Sequence, residues 1–209
     1  MSLYIDFKEK VNNEELKMAA ETIKNGGLVV FPTETVYGVG CNALDEEAIK
    51  RVYEAKNRPL DNPISVLVSS IEMAKTLAKN ISEEELKIMK AFMPGPLTIV
   101  LEKKDSVSNV LTAGTNTVGI RMPENDLALK LIRYSGVPLA TTSANLSGHA
   151  SGTNIEMIKE DIGNYVDCFI DGGESEIGIP STVIKLDGNN IKVLREGTIK
   201  EEDLYKVIL

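Results

Sequence analysis

Apolar runs in this chain are short, and they alternate with stretches of helical spacing from one end to the other. Leu28 to Phe31, Ile64 to Val68, Leu97 to Leu101 and Thr117 to Arg121 are rich in Val, Ile and Leu and each reads as a strand. Leu16, Ala19, Ala20 and Ile23 fall on one helical face, so residues 13–25 read as a helix closed by Gly26-Gly27. Asp45 can cap a helix over 46–57 whose inner face carries Ile49, Val52 and Tyr53. A helix is expected over 70–79, and Ser82 with Glu85 forms a capping box for another ending near Met93. Asn125 opens a helix that Gly136 ends, and Pro138 to Thr142 is a strand. A short helix at 154–161, strands near 166–170, 181–186 and 191–195, and a helix at 200–208 complete the pattern. Phe31 to Gly40 and Lys56 to Pro63 read as loop-like segments around a single helix. Such interleaving implies an α/β or α+β fold, a single domain over 1–209 with a mixed sheet.

Composition narrows the function. Of 209 residues, 43% are hydrophobic, enough for a substantial core, which must rely on aliphatic side chains because aromatics make up 5% and Trp is absent. The net charge of -8 argues against a surface that holds duplex nucleic acid through its phosphates. Cations gathered in particular turns are therefore conspicuous. The two cysteines, Cys41 and Cys168, have no metal-ligand spacing and read as reduced thiols. The sole histidine, His149, lies in a Gly/Ser-rich loop and reads as incidental there. The N-terminus lacks a signal-peptide pattern and no run is long enough for a membrane span, so a soluble, cytoplasmic protein is expected.

Four polar clusters sit at strand or helix ends, where open α/β sheets place ligands. Thr33 to Gly38 follows the first strand, though the same residues suit a capped polar turn. Lys56, Arg58 and Asn62 close the second helix. Cations are favourable at a helix C-terminus, but Pro59 and Pro63 stiffen the loop in a way that suits a polyphosphate. Thr141 to Gly148, running on to Ser151, delivers short hydroxyl and amide side chains into a loop where backbone N–H groups can approach phosphate or ribose. Arg121, with Pro180-Ser-Thr182 and Arg195, offers a bidentate partner for a carboxylate. The chain has no Ser/His/Asp triad, zinc spacing or Walker P-loop.

Taken together these segments resemble the threonylcarbamoyl-AMP synthase family, with the YrdC-like fold. The matching pieces are Pro32-Thr-Glu-Thr-Val-Tyr-Gly38, Lys56-Asn-Arg-Pro59, Asp61-Asn-Pro63, Pro94-Gly-Pro-Leu-Thr98, Gly119-Ile-Arg-Met-Pro123, Thr142-Ser-Ala-Asn-Leu-Ser-Gly148, Pro180-Ser-Thr182 and Leu194-Arg-Glu-Gly197. They come in the family's order and span nearly the whole chain.

The resemblance implies a twisted α/β mixed sheet with flanking helices around a concave, positively lined cavity, and a nucleotidyltransferase reaction. L-threonine, bicarbonate or CO2, and ATP give threonylcarbamoyl-AMP, pyrophosphate and water. Other proteins, a tRNA-modifying threonylcarbamoyl transferase complex, then use the product for threonylcarbamoyladenosine in certain tRNAs. Thr35, Arg121, Thr141 and Ser181 are implied to bind threonine. Lys56, Arg58 and Asn62 are implied to bind the ATP phosphates, with Lys56 and Arg58 catalytic through charge neutralisation. Thr117, Ser143, Asn145, Ser151 and Arg195 are implied around the nucleotide, and Mg2+ is expected with the triphosphate. Glu34 is read as orienting Tyr37 or a loop amide.

In two respects the chain departs from some relatives. Leu67 stands where some have a histidine near the threonine site, and the chain resembles the short form without a second domain. Competing readings are a carbamoyl-adenylate-forming carbamoyltransferase and a paralogue acting as an RNA-binding or ribosome-associated module. The acidic balance and the lack of interleaved aromatics disfavour the module.

Overall fold

Ten strands form one mixed sheet in the computed structural model, which describes residues 2–208. In chain order the strands are β1 (Leu3–Asp6), β2 (Val29–Phe31), β3 (Gly38–Asn42), β4 (Ser65–Leu67), β5 (Leu97–Glu102), β6 (Thr117–Arg121), β7 (Leu139–Ser143), β8 (Cys168–Asp171), β9 (Thr182–Asp187) and β10 (Asn190–Arg195). Their spatial order is β1-β8-β2-β3-β7-β4-β6-β5-β9-β10. The sheet combines parallel pairs (β1 with β8, β2 with β8, β4 with β6, β5 with β9) with antiparallel ones. The helices are α1 (Asn13–Lys24), α2 (Glu46–Lys56), α3 (Ile71–Leu77), α4 (Glu83–Phe92), α5 (Asp126–Ser135), α6 (Ile155–Ile162) and α7 (Glu201–Ile208).

Helix starts fall where side-chain capping dictates. Asp45 accepts from Glu47 and Ala48 N–H, Asn125 accepts from Ala128 N–H, and Ser82 with Glu85 completes a reciprocal capping box. Gly136 ends α5 in the left-handed region at φ 69°.

Two strands differ from the sequence expectation. β1 pairs with β8 at the sheet edge, although its four residues carry no clear period. β3 begins inside a segment that reads as loop-like. Its glycines are required by close packing: a Cβ on Gly40 would stand 2.7 Å from Thr141 Oγ1, and one on Gly38 2.8 Å from Thr141 Cγ2.

Alternation along the strands divides the buried side chains between the two faces. Val66, Ile99, Leu101, Val118, Ile120 and Ala140 join one large core beneath α2, α4, α6 and α7. Val29, Phe31, Leu67, Leu139, Cys168 and Ile170 join a second core with α1 and α5. That second core covers only part of its face. Two residues along from Leu67 and Leu139, the same face presents Ser65 and Thr141, and a cavity opens over β3 to β10.

Among the described residues, no helix is long and apolar enough to cross a membrane.

Candidate active site

The cavity holds about 380 Å3. Its floor consists of alternate strand residues: Ser65 and Leu67 on β4, Thr98 and Val100 on β5, Thr117, Gly119 and Arg121 on β6, Thr141 and Ser143 on β7. A polar residue within an apolar strand such as Leu97-Thr-Ile-Val-Leu101 thus marks the face turned to the cavity. Walls come from the turn after β2, the loop after α2, and the segment entering β9. A second hollow of the same volume, beside Arg51 and Asp167, contains none of the candidate residues.

Nine of the twelve residues singled out from sequence line this one cavity: Thr35, Arg58, Asn62, Thr117, Arg121, Thr141, Ser143, Ser181 and Arg195. They come from six separate stretches of chain, and the sheet order brings them together.

Arg58 braces its own loop, donating from Nε to Asn62 O (3.0 Å) and from Nη2 to Pro63 O (2.9 Å). Tyr53 on α2 donates to the same Asn62 carbonyl at 3.1 Å. Burial lowers the Arg58 pKa, but a guanidinium stays charged. Arg195 grips Ser181, donating from Nε (3.0 Å) and Nη2 (2.8 Å) to its carbonyl and from Nη2 to its hydroxyl (3.0 Å). The Ser181 hydroxyl also meets Thr98 Oγ1 at 2.8 Å. Partial desolvation, then repulsion from Arg121 and Arg58, lowers the Arg195 pKa. Thr33 and Thr35 hydroxyls lie 2.9 Å apart, and Thr33 donates to Val36 O to close the turn.

Three of the twelve are not in the wall. Lys56 is 1% exposed, and its Nζ donates to the carbonyl oxygens of Ser143 and Asn145. Lys56, read from sequence with Arg58 as a phosphate ligand, thus lies behind the cavity wall that Arg58 lines. Asn57 adopts a left-handed conformation (φ 48°, ψ 44°) that turns the chain between them, so the ammonium goes inward while the guanidinium goes to the cavity. Burial, followed by repulsion from Arg58, pushes Lys56 down to about 7. Asn145 is buried, and its amide donates to Leu146 O (2.8 Å) and His149 O (2.9 Å). Ser151 sits half-buried further along this loop.

The loop itself is anchored. Ser147 N–H donates to Lys56 O at 2.9 Å, and Leu146 N–H donates to Asp161 at 3.0 Å. His149 sits outside the cavity, 2.9 Å from Asp161.

Sequence reasoning missed Thr98, Ser65 and Gly119, for which strand parity is the available signal. It also misplaced Glu34. The Tyr37 hydroxyl donates to Gly173 O and accepts from Gly172 N–H, with no part for Glu34. Glu34 instead faces Arg121, with Oε2 2.7 Å from Nη2, both side chains buried. Cys41 and Cys168 are buried free thiols, each pushed up to about 12 by burial. Leu67 lines the floor as a buried aliphatic side chain.

The arrangement offers three guanidiniums and a set of short hydroxyls, with no nucleophile activated by a base. Such a lining is chemically suited to anionic ligands.

Known proteins share this sequence and shape. Residues 21–197 match the Sua5/YciO/YrdC family, described as "Telomere recombination". The chain is 47% identical over 208 residues to the threonylcarbamoyl-AMP synthase of Pyrococcus abyssi, covering 100% of this chain and 61% of that one. It is 37% identical to a putative threonylcarbamoyl-AMP synthase of Methanocaldococcus jannaschii, with 94% of each covered. Among solved structures, P. abyssi Sua5 complexed with L-threonine superposes with a TM-score of 0.96 at 47% identity, covering 99% of this chain and 61% of that one. The chain spans about three fifths of the first two relatives, at 61% and 60% of their lengths. On sequence and fold alike, this chain belongs to the Sua5/YciO/YrdC family.

Proposed function

We propose that this chain carries out threonylcarbamoyl-AMP synthesis from L-threonine, bicarbonate or CO2, and ATP, acting in the cytoplasm ahead of a tRNA-modifying threonylcarbamoyl transferase complex. The observation that carries the reading is that nine residues chosen for two different ligands share one cavity. The relatives' names support the reaction, and the P. abyssi structure with L-threonine supports the amino-acid half.

The chemistry suits the residues. The threonine amine captures CO2 as a carbamate. A carbamate oxygen attacks the α-phosphorus of ATP, the bond to the β-phosphate oxygen breaks, and pyrophosphate leaves. Such a displacement needs alignment and charge neutralisation more than a protein nucleophile. Arg121, with the hydroxyls of Thr35, Thr141 and Ser181, binds the amino acid. Arg58, Arg195 and Asn62 bind the phosphates, and Thr117 and Ser143 flank the nucleotide. Lys56 acts from behind, by fixing the carbonyls from which the loop holding Asn145 and Ser151 departs. Mg2+ would arrive on the triphosphate rather than in an all-protein cage.

Arg121→Lys tests the assignment. Removing Arg121 outright would strand the buried Glu34 charge, whereas lysine keeps the charge and loses the fork. The threonine KM should rise on the order of tenfold or more, because hydrogen bonds between charged groups contribute about 1.5–3 kcal/mol. The ATP KM should change little. Equal rises in both would place the carboxylate elsewhere.

A further inference from the structure

The cavity wall contains Arg58, Arg121 and Arg195, yet among the described residues only Arg121 pairs with a carboxylate. Glu34 is 5% exposed and Arg121 7%, so the pair is shielded from water on its protein side. Glu34 Oε2 and Arg121 Nη2 are 2.7 Å apart, and Nε of the same guanidinium donates to Gly95 O at 3.3 Å. Glu34 does not line the cavity, whereas Arg121 does. The guanidinium therefore stands between a fixed carboxylate and the ligand space.

Both carboxylate oxygens of Glu34 are buried, and neither has a hydrogen bond of good geometry among the described residues. A charge in that position is costly unless a partner offsets it, and the contact with Arg121 is the offset the structure provides. The turn that carries Glu34 is itself held in place. Glu34 O accepts from Ile177 N–H (2.9 Å) and Thr35 O accepts from Gly178 N–H (2.7 Å), tying it to the segment that leads into Ser181.

We propose that Glu34 is a positioning residue that reserves Arg121 for the amino-acid carboxylate. This rests on the threonine-binding reading above. A free guanidinium in the same cavity as Arg58 and Arg195 would be drawn to polyphosphate as strongly as they are. Glu34 lowers the net charge at Arg121 alone and fixes the direction of its fork. The two remaining arginines are left to the phosphates, so one continuous cavity has an amino-acid end and a nucleotide end.

Glu34→Gln keeps the shape and removes the charge. Threonine affinity would be measured by calorimetry without ATP, and both KM values by pyrophosphate release, beside the thermal midpoint. The expected result is a threonine Kd and KM raised about tenfold, the scale at which outer partners tune a ligand's affinity. The ATP KM should stay level or fall, and high ATP should become competitive with threonine. A purely structural pair would instead lower the midpoint and weaken both substrates alike, and that result overturns the proposal. If Glu34→Gln does not fold, Glu34→Asp serves: it keeps the charge, withdraws the oxygen from Arg121, and should show the same threonine-selective loss. The wild type separates the two levels of the reading. Wild-type protein that neither binds threonine nor needs it for release overturns the functional reading, and the proposal with it. Threonine-dependent wild type with a Glu34→Gln profile like its own overturns the proposal alone.

Discussion

Lys56 occupies a position where the local sequence and the fold pull in different directions. At the end of α2 a lysine is favourable through the helix dipole and would ordinarily extend into water. Here Asn57 turns the chain, and the ammonium is sealed against two carbonyls of the loop after β7. Burial lowers its pKa from 10.5 to about 7. Between those values the unfolded chain holds a proton that the folded chain does not, so the wild type gains stability as pH rises. Lys56→Met, which cannot titrate, lacks that gain. Urea unfolding at pH 7 and pH 9 should show the wild type gaining about 2–3 kcal/mol on the variant, at 1.36 kcal/mol per pKa unit. Parallel pH profiles would mean that the ammonium stays charged between its carbonyls.

At the scale of elements, the site depends on how closely β3 approaches β7. Gly40 pairs with Thr141, and a Cβ there would press on Thr141 Oγ1 at 2.7 Å and on the Phe31 ring at 3.1 Å. Gly40→Ala should displace the Thr141 hydroxyl, raising the threonine KM several-fold and lowering stability by about 1–3 kcal/mol, the range for overpacking. An unchanged threonine KM would remove Thr141 from the amino-acid end. The same strand shows where the sequence stops being readable. Two glycines in five residues carry no strand propensity, and what places them in the sheet is room for neighbours from distant segments. Likewise β1 becomes a strand through β8, which lies far along the chain. Helices α1, α2, α4 and α5 are legible because their caps and periods are local. In the site, Arg58, Arg121 and Thr141 are legible as polar residues at strand and helix ends. The inward turn of Lys56 and the Glu34–Arg121 contact are not, because the first depends on one backbone angle and the second on a turn meeting the end of a distant strand.

For the whole molecule, a net charge of -8 surrounds a cavity whose wall bears three arginines. The charge pattern is thus local, suited to small anions that enter and bind, and unsuited to a duplex lying across the surface. With one face of β3 to β10 only partly covered by α1 and α5, the sheet supplies the floor and the loops supply the walls. A floor of rigid strands holds reactants in line better than loops alone. The measurement that bears most directly on this reading is pyrophosphate release from ATP and Mg2+, with threonine and bicarbonate each left out in turn and the products followed by mass spectrometry. Release that requires both, with a threonylcarbamoyl-AMP mass, is the expected result. Release indifferent to threonine, or none with all reactants present, would contradict it.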